Sequence, residues 1–341
     1  MKKKLLPLAQ IALGVAILAY VFANMRNRSD LAVAVRDAAR HWPWLLAGVC
    51  TFSLCVLSSS SRWHLLMRAQ GMALPFRRVI ELFFIGHFFN SFLFGATGGD
   101  VVKAYFAAVE IPNKKTAAAT TVFIDRVIGL LALVLLAVVI MCCRLSFFLA
   151  YARMRLILII NVMVLIVTVL GLFMAFRRNI FERYAIFRRI EEGTSLGRVL
   201  SRIYNAFHIC LRHPGLLVRA LILSFVNHTT LVVMSFLIGH ALEIDIPFWD
   251  YLTVFPIINA VAAIPLTPGG LGTREAIAKW LLGVLGVAGT RAVPLSLLTY
   301  GAVLVWSLVG GLVYLGYCAR QARAGKTIDI EHLDIDALPD A

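Results

Sequence analysis

The chain has 341 residues, of which 60% are hydrophobic, and its mean hydropathy is +0.85. Soluble domains contain about 45–50% apolar residues, so the composition excludes a soluble globular protein and predicts a polytopic membrane protein. The formal net charge of +15 is explained by basic loops beside anionic lipid headgroups, and nucleic acid is not expected as a partner.

The first predicted elements are two apolar crossings that flank a polar surface segment. Residues 5–23 follow a cationic start and are either a signal peptide or an uncleaved first helix. We prefer the uncleaved helix, because the apolar run is longer than an ordinary signal core. Residues 24–44 are polar, with apolar side chains at helical spacing, and are expected on the outer surface. Residues 45–61 form a second crossing, whose cytoplasmic edge is indicated by Arg62 and Trp63.

The next segment is a helix that the sequence interrupts. Residues 79–94 are too short to cross a bilayer, which takes about 20 apolar residues. Glycines and a threonine follow, and a second half-helix is predicted over 98–109. Backbone without helical hydrogen bonds is tolerated at membrane depth only inside protein or beside water. The pattern therefore predicts a re-entrant pair of half-helices, which in transporters lies at the binding site.

The remainder of the chain contains four further crossings and a second interrupted segment. The crossings are predicted over 120–141, 156–176, 216–242 and 294–317. Residues 177–219 form a basic loop for which two amphipathic surface helices are expected. Residues 251–265 are apolar and lead through a glycine-rich turn into a half-helix over 276–285. The short tail 320–341 is expected to be disordered.

The distribution of basic residues favours one topology. If both interrupted segments crossed fully, loop 177–219 would face outside, against the positive-inside rule. If the first is re-entrant from the cytoplasm and the second from outside, the basic loops are cytoplasmic and the acidic turn 243–250 lies outside. The sequence thus predicts an all-α bundle with about six full crossings and two opposed re-entrant pairs, as an inverted repeat would give. Residues 1–319 are expected to form one domain in a plasma (inner) membrane, with both termini cytoplasmic.

Charged residues and glycines concentrate at the two interrupted turns. A charge at the bilayer centre costs about 2.5–3.5 kcal/mol on insertion scales, so these groups must pair or line water. Glycines before a helix expose N–H groups that bind anions, and neighbouring cations add full charge, so the residues suit a phosphate headgroup. The candidate headgroup-binding residues are Asn90, Gly98, Gly99, Asp100, Lys103, Asp125, Arg126, Pro268, Gly269, Gly270, Gly272, Arg274 and Glu275.

A structural role for the same residues stays open. Asp100 would then cap a helix that begins at the next residue, and Asp125 would pair with Lys103 or Arg126. Asn90 is expected to hydrogen-bond to the broken turn. The six cysteines form no CxxC pair, and no GxxxxGK[ST], HExxH or Ser-His-Asp pattern is visible. No metal, cofactor or nucleotide site is therefore predicted.

Three motifs in a fixed order resemble one known family. Asn90 is followed by Gly-Gly-Asp at 98–100 and Lys103, then by Asp-Arg-Val-Ile-Gly at 125–129 and Pro-Gly-Gly-Leu-Gly-Thr-Arg-Glu at 268–275. This arrangement resembles the lysylphosphatidylglycerol synthase transmembrane region, a flippase-like membrane domain that also occurs as stand-alone proteins. The resemblance covers roughly residues 5–317. It implies a polytopic bacterial or archaeal membrane protein that translocates lipids.

Two departures from the family pattern leave the substrate open. Gly95 and Ala96 stand near the place where the family usually has a proline, and Lys103 stands where arginine is usual. Only 24 of the 341 residues follow Tyr317. We therefore expect no soluble aminoacyl-transferase domain and no lysyl transfer.

The expected function is translocation of a phospholipid or glycolipid headgroup through a polar groove between the two re-entrant turns, with membrane lipids as partners. One alternative is a membrane-embedded glycosyl- or acyl-transferase, for which only Asp100, Asp125 and Glu275 would qualify as base or nucleophile. The other is a non-transporting partner that recruits a lipid or envelope synthase through the basic surface 177–219. No ATPase motif is visible, so any coupling would be to an ion gradient.

Overall fold

The computed structural model describes residues 28–92, 98–111, 114–150, 152–176, 214–263 and 267–323. Every regular element in these ranges is helical, which confirms the prediction of an all-α fold. The helices are α1 (Arg28–Arg40), α2 (Trp42–Ala69), α3 (Phe76–Phe92), α4 (Gly98–Glu110), α5 (Lys115–Cys143), α6 (Leu145–Ala150), α7 (Ala152–Phe176), α8 (Pro214–Ala241), α9 (Phe248–Ala262), α10 (Thr273–Val284) and α11 (Gly289–Arg323), with a 3₁₀ turn at Pro268–Gly270. The predicted first crossing, loop residues 177–213 and the tail after Arg323 lie outside the described residues.

Five of these helices are long and apolar enough to cross a membrane, namely α2, α5, α7, α8 and α11. They coincide with five of the predicted crossings, and the prediction of a helical membrane protein is confirmed. A crossing takes about 20 residues at 1.5 Å per residue, whereas α2 has 28 residues and α11 has 35. Helix α2 therefore continues beyond the predicted edge at Arg62 as far as Ala69.

The helices on either side of each interrupted turn are shorter than a crossing. Helices α3 and α4 have 17 and 13 residues, and α9 and α10 have 15 and 12. At 1.5 Å per residue the longest of them measures about 25 Å, which is less than the ~30 Å of a hydrocarbon core. The predicted half-helices are thus present. Their arrangement as re-entrant pairs stays a prediction.

The described residues divide into two compact units. Unit 1 contains residues 28–58, 80–92, 98–102, 226–263 and 267–323, and unit 2 contains 59–79, 103–111, 114–150, 152–176 and 214–225. Helices α2, α3, α4 and α8 contribute residues to both. The prediction of one domain over 1–319 stays a prediction.

Within unit 1, α3 lies antiparallel to the second half of α11. The Ser307 hydroxyl donates to the His87 carbonyl at 3.2 Å, and a Cβ built on Gly310 would lie 2.3 Å from the Phe84 carbonyl oxygen. Near the C-terminal end of α11, Arg320 forms an ion pair with Glu81. Residue numbers therefore rise along α3 as they fall along α11. By extrapolation, the end of α3 lies at the level of about residue 304 of α11.

Helix α10 packs against the first part of the same helix. Ser296 of α11 donates to Glu275 at the start of α10. A Cβ built on Gly289 would lie 3.1 Å from the Lys279 side chain, one turn further along α10. Helix α10 thus runs from the level of Ser296 on α11 towards the N-terminus of that helix, whereas α3 approaches from the C-terminal side. The end of α3 and the start of α10 therefore lie at levels of α11 that differ by about one or two helical turns.

Unit 2 has its own apolar core. Leu66 of α2, Ile124 and Ile128 of α5, and Ala220 of α8 are buried against one another. Helix α7 contacts α5 and exposes apolar side chains along most of its length, as expected for a helix that faces lipid.

Candidate functional site

A side chain of α3 holds the start of α4. The amide N–H of Gly99, in the first turn of α4, donates to Oδ1 of Asn90 at 3.0 Å, so Asn90 bonds across from α3 to α4. A Cβ on Gly99 would lie 2.1 Å from the Gly86 carbonyl oxygen, so only glycine allows this approach of α4 to α3. Residues 13 apart in one continuous helix would be about 20 Å apart, so the chain doubles back between α3 and α4.

The predicted cap at Asp100 is corrected by the position of the helix start. Helix α4 begins at Gly98 rather than at Val101, so Asp100 lies inside its first turn and not before it. The glycine pair is helical and is not an open loop before the helix. A carboxylate in the first turn still interacts favourably with the helix dipole.

The second interrupted turn depends on glycine conformations. Gly269, Gly270 and Gly272 have φ of 61°, 72° and 82°, a left-handed region that side chains with a Cβ rarely adopt. The Thr273 hydroxyl donates to the Gly270 carbonyl at 2.8 Å and closes the turn. A Cβ on Gly270 would lie 2.9 Å from that of Ala262, so here too the chain returns onto the preceding helix.

Glu275 is an internal partner of this turn. Helix α10 begins at Thr273, three residues earlier than predicted, so Glu275 falls in its first turn. The Gly272 amide donates to one carboxylate oxygen of Glu275, and the Ser296 hydroxyl donates to the other at 2.9 Å. The side chain is completely buried, with 0% exposure. The N–H group of Gly272 was predicted to bind an anionic headgroup. It donates to Glu275 instead, as in a capping box.

Arg274 lies beside Glu275 but has different partners. Its Nη2 donates to the Gly269 carbonyl at 3.1 Å, and its guanidinium carbon lies 4.9 Å from the ring centroid of Tyr300. The buried Nε has no hydrogen-bond acceptor among the described residues. We call Gly269, Arg274, Glu275, Ser296 and Tyr300 the α10 site; all five belong to unit 1.

Unit 2 holds a second group of predicted site residues. Asp125 of α5 accepts from Nε of Arg62 at 2.7 Å, and Nζ of Lys103 lies 3.6 Å from its other oxygen. The predicted pairing of Asp125 with Lys103 is thus present, whereas Arg126 is exposed. We call Arg62, Lys103 and Asp125 the Asp125 cluster.

The surroundings of the Asp125 cluster are polar and aromatic. Nη1 of Arg62 donates to the Ser224 hydroxyl at 2.8 Å. The Lys103 ammonium lies 3.9 Å from the ring centroid of Trp63, a geometry that stabilises a cation. Gly129 leaves room for Arg62, because a Cβ there would lie 3.3 Å from Nη1. Two cations therefore share one carboxylate in a buried position.

Arg62 is the functional candidate that sequence reasoning missed. It was interpreted as a cation at the cytoplasmic edge, but its side chain is buried and belongs to the Asp125 cluster. The available signal was its place at the end of a serine-rich, close-packing run in α2. No group of three His, Cys, Asp or Glu side chains in the described ranges is placed to hold a metal ion.

The geometry defines a helical membrane protein with two interrupted helix pairs, whose turns are closed by their own side chains. The chain matches the family described as lysylphosphatidylglycerol synthase TM region over residues 8–311, and it belongs to this family.

Curated relatives carry only a membrane-protein name. A UPF0104 membrane protein of Pyrococcus horikoshii is 27% identical over 296 residues, covering 80% of this chain and 86% of the relative. Two UPF0104 membrane proteins of Methanothermobacter thermautotrophicus are 25% and 23% identical, over 72% and 91% of this chain and 76% and 92% of their own lengths. These names state no substrate and no activity.

Proposed function

We propose that the protein translocates the headgroup of a phospholipid or glycolipid across the bilayer, with the α10 site on its path. The observation that carries the proposal is the approach of α3 and α10 to α11 from its opposite ends, with contacts of α3 at Ser307 and of the start of α10 at Ser296. Such an approach is expected of two helix pairs that enter the membrane from opposite faces and return. Transporters built this way bind their substrates near the midplane, where the interrupted helices end.

The short helices support the re-entrant arrangement. Each of α3, α4, α9 and α10 is shorter than the ~20 residues of a crossing. The close approaches of Gly99 to Gly86 and of Gly270 to Ala262 indicate a reversal of the chain at each turn. Full crossings would carry the chain away from these residues instead.

The polar groups at this depth favour transport over a purely structural role. A charge at the bilayer centre costs about 2.5–3.5 kcal/mol on insertion scales. Among the described residues, the direct contacts of Arg274 are the Gly269 carbonyl and the Tyr300 ring, both of which are neutral, and the adjacent Glu275 carboxylate interacts with its charge without a direct ion pair. A polar path for a headgroup would give the buried Nε–H of Arg274 an acceptor, which it lacks among the described residues.

The transferase alternative finds less support among the carboxylates. Both oxygens of Glu275 accept hydrogen bonds from within the protein, and Asp125 is shared by two cations. A general base must reach the proton that it removes, and both groups are buried against their partners. Two of the three candidate bases are thus engaged within the protein, and we propose a carrier without enzymatic activity.

The charge distribution supports an orientation in the plasma (inner) membrane. The turn between α8 and α9 carries Glu243 and Asp245, and loop residues 177–219 are rich in arginine. By the positive-inside rule the first is extracellular or periplasmic and the second cytoplasmic. We propose that both termini are cytoplasmic.

A vesicle assay tests the function. Purified protein is reconstituted with phosphatidylglycerol that carries a fluorophore on one acyl chain, and dithionite is added outside to bleach the outer leaflet. We expect wild-type protein to bring lipid from the inner leaflet to the dithionite outside. Arg274→Gln should slow the bleaching of this inner-leaflet lipid about tenfold. The control is Arg320→Gln, since the Arg320 side chain lies half-exposed at the end of α11, and it should bleach at the wild-type rate. Bleaching by wild-type vesicles that stops at the outer leaflet, as in empty vesicles, would reject the proposal.

A further inference from the structure

Arg274 has a donor that the protein leaves unused. Its Nε is buried and has no acceptor within the described part of the chain, while Nη2 donates to Gly269. No carboxylate in the described ranges forms an ion pair with it. A buried N–H group without an acceptor is rare in proteins and requires an explanation. The unused N–H requires an oxygen acceptor, and a guanidinium forms its stronger hydrogen bonds with an anionic oxygen.

Thr299 supplies an independent second donor on the facing helix. Its side chain is 6% exposed, and its Oγ1 has no hydrogen-bond partner among the described residues. A threonine inside a helix ordinarily donates to the carbonyl one turn earlier. Thr51 and Thr230 do so at 2.7 Å, but Thr299 does not.

The position of Thr299 on α11 faces the α10 site. Ser296, three residues before it, bonds to Glu275, and Tyr300, the next residue, lies against Arg274. Residues three and four apart lie on one side of a helix. Thr299 is therefore on the side of α11 that packs against the start of α10.

The Glu275 carboxylate is not available to bind an amine of a headgroup. An amine on a headgroup would need an open carboxylate, but both oxygens of Glu275 already accept hydrogen bonds and the side chain is fully buried. The groups left for a ligand are thus two donors, one of them charged, and a phosphate oxygen accepts from both.

We infer that Arg274 and Thr299 bind the phosphate of an anionic lipid headgroup, and that the α10 site selects negative charge and gains nothing from an added amine. The lipid source of the phosphate rests on the proposed function. The phosphate site itself rests on the two unused donors. Its substrate class is a phosphodiester lipid such as phosphatidylglycerol, and an aminoacylated derivative is not preferred.

Binding measurements on the full chain in detergent test the inference. Calorimetric titration with dioctanoyl-phosphatidylglycerol should give saturable binding, and dioctanoylglycerol, which lacks the phosphate, should give none. Arg274→Gln should weaken binding about tenfold or more, and Thr299→Val several-fold. The matched controls are Arg320→Gln and Thr230→Val. Thr230 is also buried, with 7% exposure, but its hydroxyl donates to the Val226 carbonyl of the same helix. Both should bind within about twofold of wild type.

Further arms separate the possible ligands. Lysyl-dioctanoyl-phosphatidylglycerol should bind no tighter than the unmodified lipid, and tenfold tighter binding would overturn the selectivity. Glycerol phosphate should not displace the lipid at equal concentration; if it does, the ligand is a free phosphate and the lipid assignment is wrong. If Arg274→Gln does not fold, Arg274→Lys keeps the charge without the Nε–H and should still weaken binding.

The two proposals can fail separately. Wild-type affinities for both Arg274→Gln and Thr299→Val would overturn the phosphate site, even if wild-type protein translocates lipid in vesicles. Arg274-dependent binding in a protein that leaves the inner leaflet protected would uphold the phosphate site and reject translocation.

Discussion

Arg62 and Asp125 form a 2.7 Å hydrogen-bonded ion pair although 63 residues separate them in the chain. Both side chains are buried, and Lys103 approaches the other oxygen of the same carboxylate. A buried ion pair adds little net stability compared with well-packed apolar residues, but removal of one partner leaves an uncompensated charge. The cluster therefore links α2, α4 and α5 within unit 2.

Asp125→Asn is expected to destabilise the protein strongly. The substitution removes the carboxylate that Arg62 and Lys103 share in a buried position, and breaking a buried pair costs about 3–5 kcal/mol. Thermal unfolding in detergent measures the loss. Asp245→Asn, in the exposed turn before α9, is the control and should unfold like wild type. Equal melting temperatures for the two variants would contradict a structural role for the cluster.

The sequence predicted part of this cluster and missed the rest for a physical reason. Asp125 and Lys103 both lie near the interrupted turn, so their pairing followed from the cost of isolated charges in lipid. Arg62 stands at the end of an apolar run, where the positive-inside rule predicts an edge cation. Because α2 continues to Ala69, Arg62 lies within the helix, where its side chain is buried against Asp125. A hydropathy pattern does not show how far a helix extends beyond its apolar run.

Gly99→Ala is expected to disrupt the packing of α3 against α4. The new Cβ would lie 2.1 Å from the Gly86 carbonyl oxygen and 2.3 Å from the Asn90 amide nitrogen, both of them backbone atoms that cannot rotate away. Overpacking of this kind costs about 1–3 kcal/mol or more. The melting temperature in detergent and resistance to trypsin should both fall.

Gly283→Ala is the matched control for that substitution. Gly283 is also helical, and a Cβ there meets nothing within 4 Å. Because alanine favours a helix by up to about 1 kcal/mol over glycine, no loss of stability is expected. A Gly99→Ala variant as stable as Gly283→Ala would mean that α3 and α4 are not in close contact.

Ser296→Ala is expected to destabilise the turn before α10. The substitution removes a donor from a fully buried carboxylate oxygen, and a hydrogen bond to a charged group is worth about 1.5–3 kcal/mol. Ser235→Ala provides the comparison, since Ser235 is buried but donates to the Leu231 carbonyl of its own helix. Unfolding by heat should begin at a clearly lower temperature in Ser296→Ala than in Ser235→Ala. The reverse order would show that Glu275 does not depend on α11.

The role of Glu275 shows how a helix boundary changes the interpretation of a site. With the start of the helix predicted at residue 276, Glu275 belonged to the turn and qualified as a ligand or base. The helix begins at Thr273, which places the carboxylate in the first turn, three residues after Gly272. That spacing is the signature of a capping carboxylate. The glycines and Glu275 were thus visible in the sequence. The capping role of Glu275 was not, because it follows from a helix start three residues earlier than predicted.

Cysteine labelling tests the opposed re-entrant pairs directly. In a variant with its six native cysteines replaced, single cysteines at Asp245 and Ala288 flank α9 and α10, and single cysteines at Arg77 and Lys114 flank α3 and α4; all four positions are exposed. Re-entrant pairs predict that Asp245→Cys and Ala288→Cys react with a membrane-impermeant maleimide in intact cells.

The same arrangement predicts that Arg77→Cys and Lys114→Cys react only after the membrane is opened, because their loops are cytoplasmic. If instead α9 with α10, or α3 with α4, made one full crossing, the two cysteines flanking that pair would react from opposite sides. Such a result would remove the midplane site, since the end of α3 and the start of α10 would no longer be turns reached from opposite faces. The Asp125 cluster in unit 2 would be unaffected by that outcome, because its contacts lie within α2, α4, α5 and α8.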